Sequence, residues 1–533
     1  METVSEIIVK TLRSMGVQTV FGIPSIHNIG FYEALRKEPH IRHILCRHEA
    51  SATHMADGYA RSGKGPGVVV TSTGPGAAYS LSPLLEAFYS CSPVLMMTSN
   101  LRENQIGKGL GALHEVNRQH DLFESVTKET ICLKRGDSIT EKVSYAVSTA
   151  ISGRPGPVYL EVPHDLWDVE IDETTFSNRE KRNAPYDLAG AKRLLKKAIT
   201  PMIIVGIEAM HAGMAAEIQV LAEILHAPVL TDAGAKGILP EDHPLAFGNV
   251  TNGGVVKTIH KTCDVTLSIG SRLRYVDFKR RGISLPQLIH FDWDETWVDK
   301  NFKSTITCIG PVKEMVGMLI NEFKRIPVPR ERHDTVNRFR GLHRPLSEIP
   351  DEHAEISYLR ALRDAIPRNG MLVIDNTLLG YFAEQFYPSY KPLGIVPAKG
   401  ATPIGFAFPA AIGLKAAYPE EPVVSLIGDG GFLYGAVELA TCLQHGIGFP
   451  VVVVNDRAYG MLDYLQHSLY GAGYQTSLFN PDFSAFALSF GAKARAVDTP
   501  DGLKAALKEA LASPEMWLIE LNASFPDPPF GKY

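Results

Sequence analysis

Two aspartates stand where apolar runs stop. Asp429 follows the run VVSLIG, and Asp456 closes FPVVVVND, with a helical stretch from about Phe432 between them. Packing has no use for a carboxylate at the end of a buried strand, but ligand binding does: in open parallel sheets, ligands sit beyond the carboxyl ends of the strands. Gly428, Gly430 and Gly431 let the backbone turn tightly and approach a ligand closely. The helix behind them points its N-terminus at the same place, where a phosphate is favoured. Asp429 would repel that phosphate unless a divalent cation lay between them. Mg²⁺, held by one or two carboxylates together with substrate phosphates, meets both demands. Neighbouring parallel strands bring Asp429 and Asp456 to a common end, so the pair predicts a site for Mg²⁺ and a diphosphate. The pattern GxxxxGK[ST] is absent, which excludes a P-loop.

The elements that must position these residues are strands alternating with helices. TVFGIP (19–24), IRHILC (41–46), GVVVTS (67–72), PVLMMTS (93–99) and GRPGPVYLEVP (153–163) read as strands, with helical HEASATHMADGYARSG behind the second. A second unit holds PMIIVG (201–206), CDVTLSIGSR (263–272) and PQLIHFDWD (286–294), and a third holds MLVIDN (371–376), VVSLIGDGG and FPVVVVND. The polar stretch 177–190 and the charged, proline-containing stretch 327–353 read as linkers. The fold expected is therefore α/β, three doubly wound parallel-sheet domains over 1–176, 185–326 and 350–533. The outer two share a loose plan, a Gly-rich loop after a strand with a helix behind it (TSTGPGAAYS and LIGDGGFLYG).

The chain's 533 residues suit three or four domains, at roughly 150 residues each. A net charge of −5 gives no basic footprint for nucleic acid and no polybasic membrane patch. Six cysteines form no CxxC and read as free thiols of a reducing cytosol. The N-terminus is an amphipathic helix without the marks of a signal peptide, and no apolar run is long enough to span a bilayer. A cytoplasmic protein is expected.

GDG, 24 residues (431 to 454) and then Asn-Asp resembles the diphosphate motif of thiamine-diphosphate enzymes. There the second residue of an Asn-Asn pair coordinates the metal; here it is Asp456, which keeps an oxygen ligand and adds a charge. The resemblance implies a third ligand in the main-chain carbonyl of Ala458. It also requires a glutamate on a strand-to-helix turn of the front domain, and RHEASATHMADGYAR supplies Glu49. In the family this carboxyl hydrogen-bonds the aminopyrimidine ring, helping the coenzyme lose its C2 proton. TSTGPG, with Gly74, resembles the loop near the pyrimidine. GATPIGFAFPAAIG resembles the segment that holds the cofactor bent, with Ile404 as the prop and the Gly400 backbone at the 4′-amino group. Asn376 and Thr377 lie where the family binds diphosphate, and Tyr459, Gly460 and Met461 should fold over the cofactor. The resemblance covers nearly the whole chain and points to the branch of acetolactate synthase, benzoylformate decarboxylase and pyruvate decarboxylase. It implies a cofactor shared between subunits, hence a homodimer or homotetramer, without nucleic-acid or membrane partners.

The substrate-facing positions depart from each branch. Ile26 stands where decarboxylases place an acid or a serine, leaving His27 and Asn28 as neighbours. Leu113-His114-Glu115 replaces the Phe-Gln-Glu of acetolactate synthases, and His114 is a candidate for binding a 2-oxo acid carboxylate or relaying a proton. Leu462 replaces a protonating glutamate of pyruvate decarboxylases, and Leu465 is near the position of an acetolactate synthase tryptophan. The expected chemistry is decarboxylation of a 2-oxo acid, followed by protonation or carboligation of the enamine. The alternatives are a flavin-dependent oxidase of the pyruvate oxidase type and a non-catalytic cofactor-binding homologue. FAD would sit in the middle domain, where VGIEAMHAG is not GxGxxG and SRLRYVD offers Arg272.

Overall fold

A computed structural model of the chain describes residues 1–172, 188–350 and 354–529. Among them are three six-stranded sheets, each parallel throughout. The inner strands are short apolar runs buried on both faces, as parallel strands covered by helices must be, while edge strands such as Lys493–Val497 are partly exposed. In the first sheet the order is Arg42–Leu45, Thr19–Gly22, Gly67–Thr71, Val94–Asn100, Val158–Pro163, Thr130–Cys132. Numbered along the chain, that is 2-1-3-4-6-5. The last sheet has the same order: Ile395–Pro397, Met371–Ile374, Val423–Gly428, Pro450–Val454, Trp517–Leu521, Lys493–Val497. The middle sheet runs 3-2-1-4-5-6, from Ala246–Asn249 to Ile306–Ile309. The shared plan seen in the outer Gly-rich loops thus extends to whole-sheet topology.

The outer domains dock on each other through one continuous apolar cluster that includes Phe21, Met55 and Val69 of the first and Val373, Phe408 and Leu518 of the last. Its centre is the crossing of helices Glu49–Arg61 and Ala407–Ala417. Their small residues let backbone meet backbone: a Cβ on Gly58 would lie 2.1 Å from the Ala410 carbonyl oxygen, and one on Gly413 1.9 Å from that of Met55. At the edge of the crossing, buried Arg61 donates to both Asp57 oxygens (2.9 and 2.8 Å), to Glu86 (2.9 Å) and to the Pro397 carbonyl (2.9 Å). The middle domain keeps its own core.

Two expectations need correction. Residues 327–350 are not merely a linker: Arg330–Leu342 is a helix whose Val336 and Phe339 join the middle core, and Arg332 donates to the carbonyls of Leu225, Leu195 and Ala198. A dense run of charges hid a narrow apolar stripe. The helix expected from about Phe432 starts at Asp429 itself, lasts one turn to Phe432, and resumes as Leu439–His445. Residues 177–187 of the other expected linker lie outside the described residues. Among the described residues, no helix is long and apolar enough to cross a membrane.

Candidate functional site

Strands Val423–Gly428 and Pro450–Val454 pair with Gly428 opposite Val454, so the turns that carry Asp429 and Asp456 leave the sheet side by side. Asp429 is buried; it accepts from the Gly430 N–H (2.7 Å) and from the Asn480 amide (2.6 Å). That amide also donates to Asn455 (2.9 Å), tying the two strand ends together. Asp456 accepts from the Ala458 N–H (3.2 Å), across a turn in which Arg457 adopts φ 57. Burial first, then the charge of Asp429, pushes the Asp456 carboxyl up to about 7, and burial raises Asp429 against its hydrogen bonds. Two carboxylates held this close make an all-oxygen donor set suited to a hard divalent cation.

The expected cofactor residues gather around this pair. A Cβ on Gly428 would lie 3.4 Å from Thr377 Cβ, one on Gly430 2.6 Å from the Tyr459 ring, one on Gly431 3.3 Å from Ile404, and one on Gly460 2.8 Å from Asp456. These glycines keep a side-chain-free floor next to the acids. Met461 is half-buried, packed in part against the core of the last domain. Asn376 turns its amide to the Thr402 and Pro403 carbonyls (3.0 and 2.8 Å), so it braces the Ile404 segment.

Asp375, the residue before it, does the same from below. It is buried, accepts from the N–H groups of Asn376 (2.8 Å), Gly405 (3.3 Å) and Ala407 (2.8 Å), and is raised by burial to about 6. From the front domain, Glu86 accepts from the N–H groups of Gly400 (2.9 Å), Ala401 (2.7 Å) and Thr402 (3.0 Å). Burial would raise Glu86, but Arg61, the Ser90 hydroxyl and the Gly400 N–H outweigh it and hold the carboxyl at about 2.

Glu49 opens its helix behind His48, whose Nδ1 accepts from the Ala50 N–H (3.1 Å). The half-buried Glu49 carboxylate lies against the turn after strand Gly67–Thr71, 3.3 Å from where a Gly76 Cβ would be. The same turn meets His114: a Cβ on Gly74 would lie 2.5 Å from the His114 carbonyl oxygen. The His27 ring stands 5.3 Å from that of His114. Buried Gln119 locks the turn, accepting from the Gly74 N–H (2.7 Å) and the Thr73 hydroxyl (2.8 Å) and donating to Tyr159 (2.9 Å) and Glu161 (3.1 Å). One chain thus carries two half-sites. Glu49, Gly74, His27 and His114 form the first. Asn376, Thr377, Ile404, the 428–431 turn and the 456–460 turn form the second. Asn480, Asp375, Glu86 and Gln119 as organisers carried no motif; only DNT hinted at Asp375.

Comparison with known proteins agrees with this division. The chain matches the thiamine pyrophosphate enzyme family in three pieces: its N-terminal TPP binding domain at residues 2–122, its central domain at 188–319 and its C-terminal TPP binding domain at 375–521. It is 31% identical to a probable acetolactate synthase large subunit of Methanocaldococcus jannaschii, over 97% of this chain and 91% of that one. It is 31% identical to a probable 2-ketoarginine decarboxylase of Pseudomonas aeruginosa, over 98% and 94%. An acetolactate synthase large subunit of Haemophilus influenzae is 29% identical, over 95% and 92%. Fold and site define a three-domain α/β enzyme that uses thiamine diphosphate. The chain belongs to the thiamine pyrophosphate enzyme family. None of these relatives is named an oxidase, so the flavin oxidase reading is not favoured.

The middle domain also fits FAD poorly. A dinucleotide would use the switch point between Pro201–Val205 and Val265–Ile269. There the two turns touch, a Gly206 Cβ falling 2.0 Å from the Gly270 carbonyl oxygen. Glu208 is buried on Arg154 (2.9 Å), and the guanidiniums of Arg154 and Arg272 sit over the Trp297 ring at 4.4 and 5.4 Å. The chain's own side chains fill the place. A separate cavity of about 860 Å³ opens between this domain and helix Leu378–Phe386. Lys257, Lys261, Arg281, Lys399 and Thr402 are among the residues that line it.

Proposed function

We propose that Glu49 of one subunit and the acid half-site of a second close on one thiamine diphosphate with its Mg²⁺, making a homodimer or homotetramer the working unit. The carrying observation is the acid pair at adjacent strand ends, which Asn480 ties together through Asp429 and Asn455, beside a glycine floor. Asp429, Asp456 and the Ala458 carbonyl hold the cation. Gly428, Gly430, Gly431, Asn376 and Thr377 border the diphosphate. Ile404 props the rings, Tyr459, Gly460 and Met461 close the second half-site, and Gly400 is fixed for the 4′-amino group by Glu86. Bound there, the coenzyme supplies a nucleophilic carbon and an electron sink. Glu49 shares a proton with the pyrimidine ring. Exposed apolar residues near both half-sites, Ile26, Tyr79 and Leu113 on one and Leu462, Tyr474 and Phe479 on the other, support association of copies there.

The substrate is a small-molecule 2-oxo acid, whose carboxylate the basic cavity lined in part by Lys257, Lys261 and Thr402 attracts. His27 and His114 border the reacting carbon and favour protonation after CO₂ leaves; carboligation is the second reading, supported by the acetolactate synthase relatives. The filled switch point supports a protein without FAD. That none of the six cysteines forms a disulfide fits a cytoplasmic location.

The test is CO₂ release from a panel of 2-oxo acids with thiamine diphosphate and Mg²⁺. Glu49→Gln and Asp429→Ala should each be inactive, and subunits of the two variants, mixed and reassembled, should recover part of the activity. No recovery would overturn the shared site; undiminished release by Glu49→Gln would overturn the whole reading.

A further inference from the structure

Decarboxylation that ends in protonation needs an acid, and the exposed residues beside the two half-sites, Ile26 and Leu462, are apolar. The first half-site holds a different supply. His164 directly follows strand Val158–Pro163, its N–H donating to the Asn100 carbonyl (3.0 Å). Its ring stands edge-on to that of His27 at 5.7 Å, and His27 in turn stands 5.3 Å from His114. The Nδ1 atoms of His27 and His164 are both buried without a hydrogen-bond partner, and His27 is only 6% exposed. A buried imidazole nitrogen left unpaired is unfavourable, and its persistence signals a group kept for another use. His114 itself sits at φ 63, over the turn that carries Gly74 and meets Glu49 through Gly76.

We propose that His164 is a positioning residue for the proton-delivering step: His164, His27 and His114 form one imidazole chain, with His164 at its outer end and His114 at the reacting carbon. This rests on the 2-oxo acid decarboxylase reading above. At His114 an N–H bond breaks as a C–H bond forms, using the electron pair left behind by CO₂. His27 then passes a proton to His114 and receives one from His164, which is refilled from solvent; nothing is oxidised or reduced. A neutral central imidazole suits this, because it accepts on one nitrogen and donates from the other. The ring separations allow a direct or single-water hydrogen bond at each step. Burial, then His164 and His114, favour neutral His27. Burial and Arg102 act the same way on His164, opposed by Asp165 and Asp168. The other polar contacts of His27 are on its backbone: the Trp167 indole N–H donates to its carbonyl (2.8 Å), and its N–H donates to the Ser25 hydroxyl (3.3 Å).

The experiment compares wild type, His164→Gln, His164→Ala and Glu49→Gln. In the coenzyme-free protein, ¹³C labels on the histidine rings report titration; His164→Gln should move the His27 midpoint upward, since a like-charged neighbour is gone. In the loaded enzyme, His164→Gln should lower kcat for CO₂ release by about tenfold or more, as positioned proton transfer contributes about 10²–10⁴. KM should be little changed, and added imidazole should restore part of the rate in His164→Ala. An unmoved His27 midpoint, an unchanged kcat or no imidazole rescue would overturn the chain of imidazoles. If Glu49→Gln is inactive while His164→Gln is fully active, only this inference fails; if Glu49→Gln is active, the decarboxylase reading fails with it.

Discussion

In the first sheet, the strand-end turns present one half-buried carboxylate, Glu49, against Gly76 and beside three imidazoles. In the last sheet, built in the same strand order, the corresponding turns crowd Asp375, Asp429 and Asp456 around a glycine floor. The fold offers both sheets the same crevice at the carboxyl ends of the strands. What enters it is decided by the side chains there. On the reading proposed above, the clustered carboxylates take a cation and, through it, a diphosphate, while Glu49 and the imidazoles exchange protons, so that two copies of one architecture would divide the anchoring and the proton chemistry of a single reaction.

The sharpest way to break this comparison is at Glu49. Glu49→Gln keeps a hydrogen bond and loses the proton exchange, so CO₂ release should fall by about 10²–10⁴, while calorimetry should find coenzyme binding in the presence of Mg²⁺ largely retained.

Next comes Glu86, which joins the two regions. Glu86→Gln removes one of the two carboxylates that face buried Arg61 and should destabilise the protein by about 3–5 kcal/mol, read as a lower urea midpoint. The wild type should show the matching pH dependence. With a folded carboxyl at about 2 against an ordinary 4.5, the stability Glu86 contributes is complete above 4.5 and lost as pH falls toward 2; the urea midpoint followed over that range checks it.

Gly413→Ala drives a methyl into the Met55 carbonyl oxygen and should destabilise the crossing by about 1–3 kcal/mol, with similar loss for Gly58→Ala at the Ala410 carbonyl oxygen. The smallest expected effect is at Asn480, which ties Asp429 to Asn455. Asn480→Ala should weaken the apparent affinity for Mg²⁺ by about tenfold, the lower end for a supporting group behind metal ligands, while the fold and Glu49 stay unaffected.

Much of the fold was legible because buried parallel strands are continuous apolar runs, and their ends are marked by Gly and Asp. Asp429 and Asp456 stood out as candidates for the same reason, whereas Glu49 was singled out only by its likeness to the family's glutamate segment. The 330–342 helix was missed because its stripe of Val336 and Phe339 is narrow within a charged run. Asn480 was missed because it arrives from a loop far along the chain from Asp429, and Glu86 because it reaches the Gly400 loop from another domain. Neither contact leaves a local periodicity to read. His164 looked like the polar residue after a strand; only its neighbours make it more.

By itself the sequence determined where strands stop and which residues stand at their ends, because solvent, periodicity and turn chemistry act locally. Tertiary structure decided which ends meet. It gave the outer sheets one strand order, set Gly58 and Gly413 backbone to backbone so that two domains share a core, filled the middle switch point with Arg154, Glu208 and Trp297, and brought His27, His114 and His164 together. Those outcomes depend on close packing between distant segments, which no local pattern encodes.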